Sequence, residues 1–350
     1  MKNVNAKVFW VCICAGVAIR FALMAIGHNF DFESYCIVGE LAAAGKNIYA
    51  STTRYNYGPA WFLILELLYR LASFFQQNIL IYRIMIVALL TLTDFVITLI
   101  ISRRAGNFWG IVFFLNPFSM FNDGYNNQFD NLAVLLGMLG ILCLEKASAD
   151  KEVKANDLYG VLLLSMSLIT KHIMWAFPVW LLLNKTITIK KKFLYAFIPP
   201  LLFLVSFMPY LPEGWNGILH NVFMYRADNN FPLAALVFLN RYGIFLPFQQ
   251  HICFLLFAAM MSASAYVFRR ETITDSFLLY TIAVTCFASA IYSHYLLIPI
   301  MAIILIFRQK VWIYFFLAFT IIVDRNFMHI ILVWCLLFYL VHYYRNNTSR

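Results

Sequence analysis

Apolar runs that are long enough to cross a membrane, each bounded by charged residues, dominate this sequence. The first run, 8–26, has the length of a full membrane span and contains one charged residue, Arg20. Hydrophobic residues make up 63% of the chain and charged residues only 12%, which excludes an ordinary soluble domain. We therefore expect an all-α, polytopic integral membrane protein with about 12 transmembrane helices.

The apolar runs predict where the spans lie. Segment 158–184 is too short for two complete crossings at about 1.5 Å per residue. We predict a short hairpin there, whose tip, Lys171-His172, lies at membrane depth and lines a polar cavity. The predicted spans are 8–26, 81–101, 108–122, 132–144, 158–171, 173–184, 193–210, 250–268, 273–291, 295–307, 311–323 and 327–342.

The positions of the cations predict the orientation of the chain. The net charge is +10, but most lysines and arginines stand at the ends of spans rather than in one patch. With a cytoplasmic N-terminus, clusters such as Arg103-Arg104 and 190–192 fall on the cytoplasmic side, as the positive-inside rule requires. Both termini are then cytoplasmic. Because the basic charge is explained by topology, we expect no nucleic-acid partner.

The same logic places two loops on the outer face of a single domain, 1–350. Segment 59–76 is apolar but carries Glu66 and Arg70, and a crossing there would move Arg103-Arg104 outside. We therefore predict an interfacial helix over 59–76 within a first outer loop, 27–80. The second predicted outer loop is 211–249.

Two carboxylates, Asp31 and Glu33, stand where the first span meets the outer surface. Taken alone, this spacing has two interpretations. It is typical of a solvated loop edge or of the acidic first turn of a helix, which the helix dipole favours. It also suits chemistry at a bilayer surface, with Asp31 as a general base. Glu33 then orients Asp31, contacts a sugar or holds a metal ion.

Over most of residues 1–300, several motifs occur in an order that resembles a known family. They are Asp31-Phe32-Glu33-Ser34-Tyr35, Gly45-Lys46-Asn47-Ile48-Tyr49, Arg54-Tyr55-Asn56-Tyr57-Gly58-Pro59, Arg83 with Asp94, Asn116-Pro117, Asp123-Gly124-Tyr125-Asn126-Asn127-Gln128-Phe129-Asp130-Asn131, Lys171-His172 with Pro178, and His294 with Pro299. This series is similar to the GPI-anchor mannosyltransferases and to the glucosyltransferases that extend lipid-linked oligosaccharides. Both groups are GT-C glycosyltransferases. The GPI-anchor enzymes carry Asp-x-Asp where this chain has Asp31-Phe32-Glu33, and eukaryotic relatives are commonly longer.

The resemblance implies a hexosyltransferase with an inverting mechanism. Its donor is a polyprenyl-phosphate sugar, with mannose or glucose favoured, and its acceptor is a glycan or glycolipid on the outer face of a bacterial inner membrane. Membrane lipids are its other partners, and no cofactor is implied. Asp31 and Glu33 are the catalytic candidates. The substrate-binding candidates are Arg54, Tyr57, Asp123, Gln128, Asp130, Lys171, His172, Arg226, Arg241 and His294.

A lipid phosphate leaving group requires a cation near the membrane surface. The candidates are Lys171, Arg226, Arg241 and His294. A buried lysine is costly in a membrane, so Lys171 either contacts the phosphate or pairs with Asp123 or Asp130. Arg226 has its own alternative, a local ion pair with Asp228.

Other polar residues also allow a structural interpretation. Arg20 or Arg83 is predicted to pair with Asp94, since opposite charges within a membrane usually pair. Segment 122–131 supplies hydrogen bonds to sugar hydroxyls or simply caps the helix that follows.

Two rival functions remain open. A transporter or flippase of lipid-linked glycans places its substrate at the midplane on broken helices and usually has internal repeats, which this sequence lacks. An O-antigen polymerase or ligase favours a large late outer loop, whereas the largest predicted outer loop here is the first.

Overall fold

The computed structural model describes residues 4–75, 79–148, 152–225, 249–287 and 293–307. These residues form helices and connecting turns, with no β-strand among them, which confirms the all-α class. The chain divides into two compact units, Met1–Leu182 with Ile187–Tyr225 and Leu183–Thr186 with Arg226–Arg350.

The first unit contains twelve α-helices within its described residues. They are α1 (Ala6–Ile26), α2 (Phe30–Ala43), α3 (Ile48–Ser51), α4 (Pro59–Ser73), α5 (Ile79–Ala105), α6 (Asn107–Phe114), α7 (Pro117–Phe121), α8 (Asp130–Ser148), α9 (Ala155–Thr170), α10 (Phe177–Leu183), α11 (Ile189–Val205) and α12 (Leu211–Gly217). A π-helical turn, Asn122–Asn126, follows α7, and a 3₁₀ turn, His172–Met174, follows α9.

Three helical segments are long and apolar enough to cross a membrane: Ala6–Ile26, Ile79–Ala105 and Ile189–Phe223. Two bent pairs raise this number to five if each pair forms one span. They are Pro117–Asn126 with Asp130–Lys146, bent by 119°, and Ala155–Thr170 with His172–Leu183, bent by 114°. The protein thus has membrane-spanning character. The count of twelve spans stays a prediction, and 311–323 and 327–342 lie outside the described residues.

The predicted continuous helix 108–122 is wrong, because the chain breaks at Asn116-Pro117. Proline has no backbone N–H and disfavours helical geometry in the residue before it. Asn116 is extended, and its side chain accepts a hydrogen bond from the Phe118 amide, which starts α7 as a separate helix. The polar segment 122–131 therefore follows α7 rather than a continuation of α6.

The first outer loop contains two surface helices, α2 and α4, joined by the short α3. Pro59 starts α4 at the first helical turn, where its missing N–H costs nothing. Trp61, Phe62 and Leu65 are buried, whereas Leu63 and Leu67 are exposed. At 15 residues α4 is shorter than a membrane span, as expected for 59–76. Its interfacial placement stays a prediction.

The predicted span 193–210 is longer than expected. It begins at Ile189 and stays helical to Phe223 through a 3₁₀ turn, α12 and a π-helical turn, Ile218–Phe223. The predicted outer loop 211–249 therefore begins with helix, and its residues 226–248 lie outside the described part of the chain.

The second unit has three described α-helices, α13 (Gln249–Val267), α14 (Ile273–Phe287) and α15 (Ile300–Phe307), with a 3₁₀ turn, Ser293–Leu297. Asn184 donates hydrogen bonds to the Glu271 carbonyl and to Ser276 Oγ, both at 3.0 Å. This contact joins the segment after α10 to the start of α14 within this unit.

Candidate active site

Asp31 lies in the first turn of α2, half-buried. Asn29 caps this helix, since its Oδ1 accepts from the Asp31 amide. The Asn29 amide nitrogen donates to Asp31 Oδ2 at 2.8 Å, and Gln128 Nε2 donates to the same oxygen at 2.6 Å. Among the described residues these are the side-chain hydrogen bonds of Asp31, so Oδ1 is left for a ligand.

The environment of Asp31 changes the basicity of its carboxylate. Burial raises the pKa of this carboxyl above its ordinary value. The positive charge of Lys171 and the hydrogen bonds from Asn29 and Gln128 act in the opposite direction, and burial prevails. A carboxylate with a raised pKa is a stronger base than an exposed one.

Gln128 reaches Asp31 because the polar segment 122–131 reverses direction just before Gln128. Asn127 adopts a left-handed conformation, with φ of 56°, which ends the π-helical turn. Its side chain donates to the Asp123 carbonyl at 2.7 Å. Arg83 in turn donates from Nε to Asn127 Oδ1 at 3.2 Å and from Nη2 to the carbonyls of Gly27, Gly124 and Tyr125. Arg83 thus fixes the backbone of this reversal.

Asp130 and Lys171 form a buried ion pair where both bent helix pairs break. Asp130 begins α8 and Lys171 ends α9, and Nζ lies 2.7 Å from Asp130 Oδ1. Lys171 Nζ also stands over the rings of Phe129 and Tyr57, 4.9 and 5.3 Å from their centroids. Of the two predicted partners of Lys171, the structure shows Asp130.

Aromatic rings and one tight backbone contact hold this region together. Trp61 stacks on Phe129 with centroids 4.1 Å apart, and Tyr57 stacks on His172 at 6.3 Å. A Cβ at Gly58 would lie 2.1 Å from the Ile169 carbonyl oxygen, so only glycine allows the first loop to approach α9 this closely. The ring of Tyr57 and the ammonium of Lys171 are therefore placed by the same contact.

Several buried polar atoms in this region have no hydrogen-bond partner among the described residues. They include Tyr35 Oη, Gln128 Oε1, Asp130 Oδ2 and His172 Nδ1. Burial and the neighbouring charges of Asp31 and Asp130 raise the pKa of Tyr35, so its hydroxyl keeps its proton and remains a donor. Buried polar groups are normally paired, and a cluster of open ones is a place for a polar ligand.

Glu33 and Arg54 face each other at the rim of this region. Glu33 is exposed, and its carboxylate lies 3.6 Å from Arg54 Nη2. The Arg54 guanidinium carbon stands 3.6 Å above the centre of the Phe30 ring. The structure shows Glu33 paired with Arg54, and the described residues show no hydrogen bond from Glu33 to Asp31.

A second charged cluster lies in the interior. Arg20 donates to Asp123 Oδ2 at 2.8 Å, to Asp94 Oδ2 at 2.9 Å and to Ser119 Oγ at 2.6 Å. It also donates to the carbonyls of Phe114 and Gly16. The predicted bridge to Asp94 is thus made by Arg20, and Arg83 instead binds the loop. Asp123 belongs to this cluster and is not brought to Asp31.

The remaining predicted site residues are His294, Arg226 and Arg241. His294 lies in the second unit, in its 3₁₀ turn, with its ring 4.4 Å from that of Tyr295. Arg226 and Arg241 lie outside the described residues. In the described part of the chain no group of three or more His, Cys, Asp or Glu side chains is placed to hold a metal ion.

Sequence reasoning missed Asn29 and Tyr35 as members of the site. Asn29 had a signal, since an asparagine just before an acidic first turn is typical of a helix N-cap. Tyr35 is one helical turn beyond Asp31 on the same face of α2, a spacing that follows once α2 is recognised as a helix.

Searches for similar proteins return no match among family models, curated proteins or solved structures.

Proposed function

We propose that this protein is a membrane glycosyltransferase. It transfers a hexose, mannose or glucose, from a polyprenyl-phosphate sugar to a glycan or glycolipid acceptor on the outer face of the membrane. The reaction is an inverting displacement with Asp31 as its base.

One observation carries this proposal: a basic carboxylate, a fixed cation and open polar atoms meet in one region between apolar helices. Asp31 keeps Oδ1 free of side-chain hydrogen bonds within the described residues, while Oδ2 is held by Asn29 and Gln128. Such anchoring fixes the direction of the free oxygen. A base must be held in hydrogen-bond reach of the proton that it removes.

The open polar atoms supply what a sugar requires. Sugar hydroxyls act both as donors and as acceptors. Gln128 Oε1 and Asp130 Oδ2 accept, and the Tyr35 hydroxyl donates. Lys171 holds Asp130 in place through the 2.7 Å ion pair. The stacked rings of Tyr57 and His172 lie beside Lys171.

In the proposed reaction Asp31 Oδ1 removes the proton from the acceptor hydroxyl as the oxygen attacks the anomeric carbon. The bond from this carbon to the phosphate oxygen breaks, and its electron pair leaves with the polyprenyl phosphate. Base and leaving group then stand on opposite faces of the sugar. The product has the inverted configuration, and no covalent sugar-enzyme intermediate forms.

The experiment that tests this function uses purified protein in lipid nanodiscs. Mannose and glucose donors on a polyprenyl phosphate are each supplied with glycans extracted from cells that lack the protein. We expect one donor to be consumed, a glycan heavier by one hexose, and an inverted linkage by NMR. As a positive control, the same extracted acceptors are shown to accept hexose in membranes that contain the protein. If the purified protein then transfers no hexose to them, the proposal is contradicted.

The proposed location is a bacterial inner membrane, with both termini in the cytoplasm and the Asp31 region outside. Cysteine labelling tests this orientation. Ser51→Cys, in α3 of the first loop, should react with an impermeant maleimide from outside, and Ser148→Cys, at the end of α8, should react only after permeabilisation. The reverse pattern would place Asp31 on the cytoplasmic face.

A transporter of lipid-linked glycans is a second candidate, and the bent helix pairs favour it. Transporters bind substrate at the ends of discontinuous helices, and Asp130 and Lys171 lie at such breaks. The two functions separate in one assay. A transporter moves an intact labelled glycolipid between leaflets and leaves it unchanged, whereas the glycosyltransferase releases polyprenyl phosphate.

A further inference from the structure

The donor in the proposed function carries a phosphate, and the sequence offered Lys171 as its cation. The structure gives Lys171 a different task. Its ammonium is almost fully buried and lies 2.7 Å from an Asp130 carboxylate that is itself inaccessible to solvent. Moving Lys171 to a phosphate would leave Asp130 charged and buried, which is strongly unfavourable.

Arg54 has the properties that Lys171 lacks. Its side chain is 26% exposed, although Nε and Nη2 themselves are buried. The guanidinium is held flat against Phe30, 3.6 Å from the ring centre. Its Nε and Nη2 are shielded by the protein and make no hydrogen bond within the described residues. Two neighbouring N–H groups of an arginine form the fork that binds a phosphate with two parallel hydrogen bonds.

The contact between Arg54 and Glu33 does not occupy this fork. The separation of 3.6 Å exceeds the roughly 2.7–2.9 Å of a charge-assisted hydrogen bond. Glu33 is 54% exposed, and exposed ion pairs contribute little to stability. A phosphate can therefore replace Glu33 at Arg54 at small cost.

Arg54 contacts the turn of α2 on which Asp31 lies. Phe30 and Glu33, which Arg54 contacts, are three residues apart and share one face of α2. Asp31 is rotated by about 100° from Phe30 around the helix and is bound by Gln128 on another element. Arg54 thus packs against the same turn of α2 that carries the base.

We propose that Arg54 binds the phosphate of the lipid-linked donor and meets its second negative charge as it leaves. This inference rests on the proposed function. When the bond from the anomeric carbon to oxygen breaks, the phosphate gains an electron pair and becomes a dianion. The proton of the acceptor hydroxyl goes to Asp31, so charge and atoms balance. Lys171 positions Asp130 and does not contact the phosphate.

Binding of farnesyl phosphate to purified protein in nanodiscs tests the assignment. Farnesol and inorganic phosphate are measured alongside it, to separate the lipid, the phosphate and their combination. The variants are Arg54→Gln and Arg54→Lys. Arg70→Gln is the matched control, because Arg70 is an exposed arginine of the same loop that pairs with Glu66.

We expect Arg54→Gln to weaken farnesyl phosphate binding about ten- to a hundredfold, from the loss of charge-assisted hydrogen bonds. Arg54→Lys should recover part of this loss, because it restores the charge without the fork. Farnesol binding should be equal in all variants, and Arg70→Gln should match the wild-type protein. Inorganic phosphate should bind far more weakly than farnesyl phosphate.

Two results would overturn the assignment of Arg54 without contradicting the proposed function, and a third would contradict both. Unchanged farnesyl phosphate binding by Arg54→Gln, in protein that transfers hexose, contradicts the role of Arg54 alone. Equal binding of inorganic phosphate and farnesyl phosphate contradicts a lipid-phosphate site. Wild-type protein that binds farnesol as tightly as farnesyl phosphate and transfers no hexose contradicts both proposals together.

Discussion

Two buried charged clusters in this protein use the same residue types in opposite ways. In the interior cluster, Arg20 donates five hydrogen bonds from Nε, Nη1 and Nη2, and both oxygens of Asp94 accept. In the cluster around Asp31 and Lys171, several buried polar atoms, among them Tyr35 Oη and Asp130 Oδ2, have no hydrogen-bond partner in the described part of the chain. The first cluster leaves its arginine no donor for a ligand, whereas the second has groups ready for one.

Whether buried polar groups have hydrogen-bond partners distinguishes structural residues from functional ones better than their charge does. A buried ion that is fully bonded holds helices together, and its loss leaves uncompensated charge. A buried polar group without a partner is costly, and a site that keeps several of them is expected to bind something polar. Removing Arg20 from the interior cluster should therefore damage folding, whereas removing the carboxylate of Asp31 should damage activity and leave folding intact.

The largest effect is expected from Arg20→Met. This change leaves Asp94 and Asp123 without their cation in the interior and should lower the free energy of unfolding by about 3–5 kcal/mol. Chemical unfolding in detergent measures it. Asp31→Asn is the matched control and should unfold like the wild-type protein or later. Equal destabilisation by both changes would contradict the distinction between the clusters.

A double-variant cycle on the second cluster comes next. Lys171→Gln leaves Asp130 buried and unpaired, so we expect a loss of about 3 kcal/mol in stability together with a large loss of transfer. Adding Asp130→Asn removes the unpaired charge and should recover most of the stability. Transfer should stay low, because a neutral amide no longer accepts as the carboxylate does. Recovery of both stability and transfer would show that the Lys171–Asp130 pair has only a structural role.

Gly58→Ala should have a smaller effect. Its Cβ would meet the Ile169 carbonyl at 2.1 Å and push the first loop away from α9. We expect a loss of about 1–3 kcal/mol in stability and roughly ten- to a hundredfold in kcat/KM, from displaced site residues. Gly45→Ala is the control, since its φ of +71° makes alanine strained but its Cβ meets nothing within 4 Å. It should lose stability without losing transfer.

The smallest effect is a shift in the pH profile. Because the pKa of Asp31 is raised, transfer should fall as pH falls through that raised pKa, where the base becomes protonated. Asn29→Asp keeps the helix cap but replaces the donor to Asp31 with a negative charge. The pKa of Asp31 should rise further, moving the acidic limb of kcat/KM to higher pH. An unmoved limb would assign it to another group.

The same shift has a consequence for stability. A carboxyl whose pKa is higher in the folded state binds its proton more tightly there than in the unfolded chain. Its contribution to stability is therefore greatest at low pH and is lost as pH rises through the folded-state pKa. For this reason Asp31→Asn, which cannot ionise, should be slightly more stable than the wild-type protein at neutral pH. Unfolding at two pH values measures this difference.

Much of the helical framework follows from the sequence, since apolar runs bounded by charges predict spans directly. The turn at Lys171-His172 was predictable from length alone. Lys171 had two candidate partners, and charge could not choose between Asp123 and Asp130. The choice depends on the π-helical turn and the left-handed Asn127, which direct Asp123 to Arg20 and Gln128 to Asp31. No sequence periodicity reports such a reversal.

The break at Asn116-Pro117 shows a second kind of limit. The Asn-Pro pair was visible, but the apolar run on both sides favoured one continuous span. Proline chemistry prevailed over the apolar pattern, because the missing N–H and the extended Asn116 start a new helix. The role proposed for the Nε and Nη2 groups of Arg54 could not be predicted from the sequence, for a different reason. Its stacking on Phe30 depends on how α2 packs, not on spacing along the chain.

The central claim, that Asp31 is the base, is tested most directly by single-turnover transfer with purified Asp31→Asn protein and saturating donor. Asparagine keeps the size of the side chain but cannot accept the acceptor proton. We predict a rate reduced by about 10²–10⁴-fold, with unchanged affinity for farnesyl phosphate and a stability equal to or slightly above that of the wild-type protein. A near-normal rate of transfer by this variant would contradict the account.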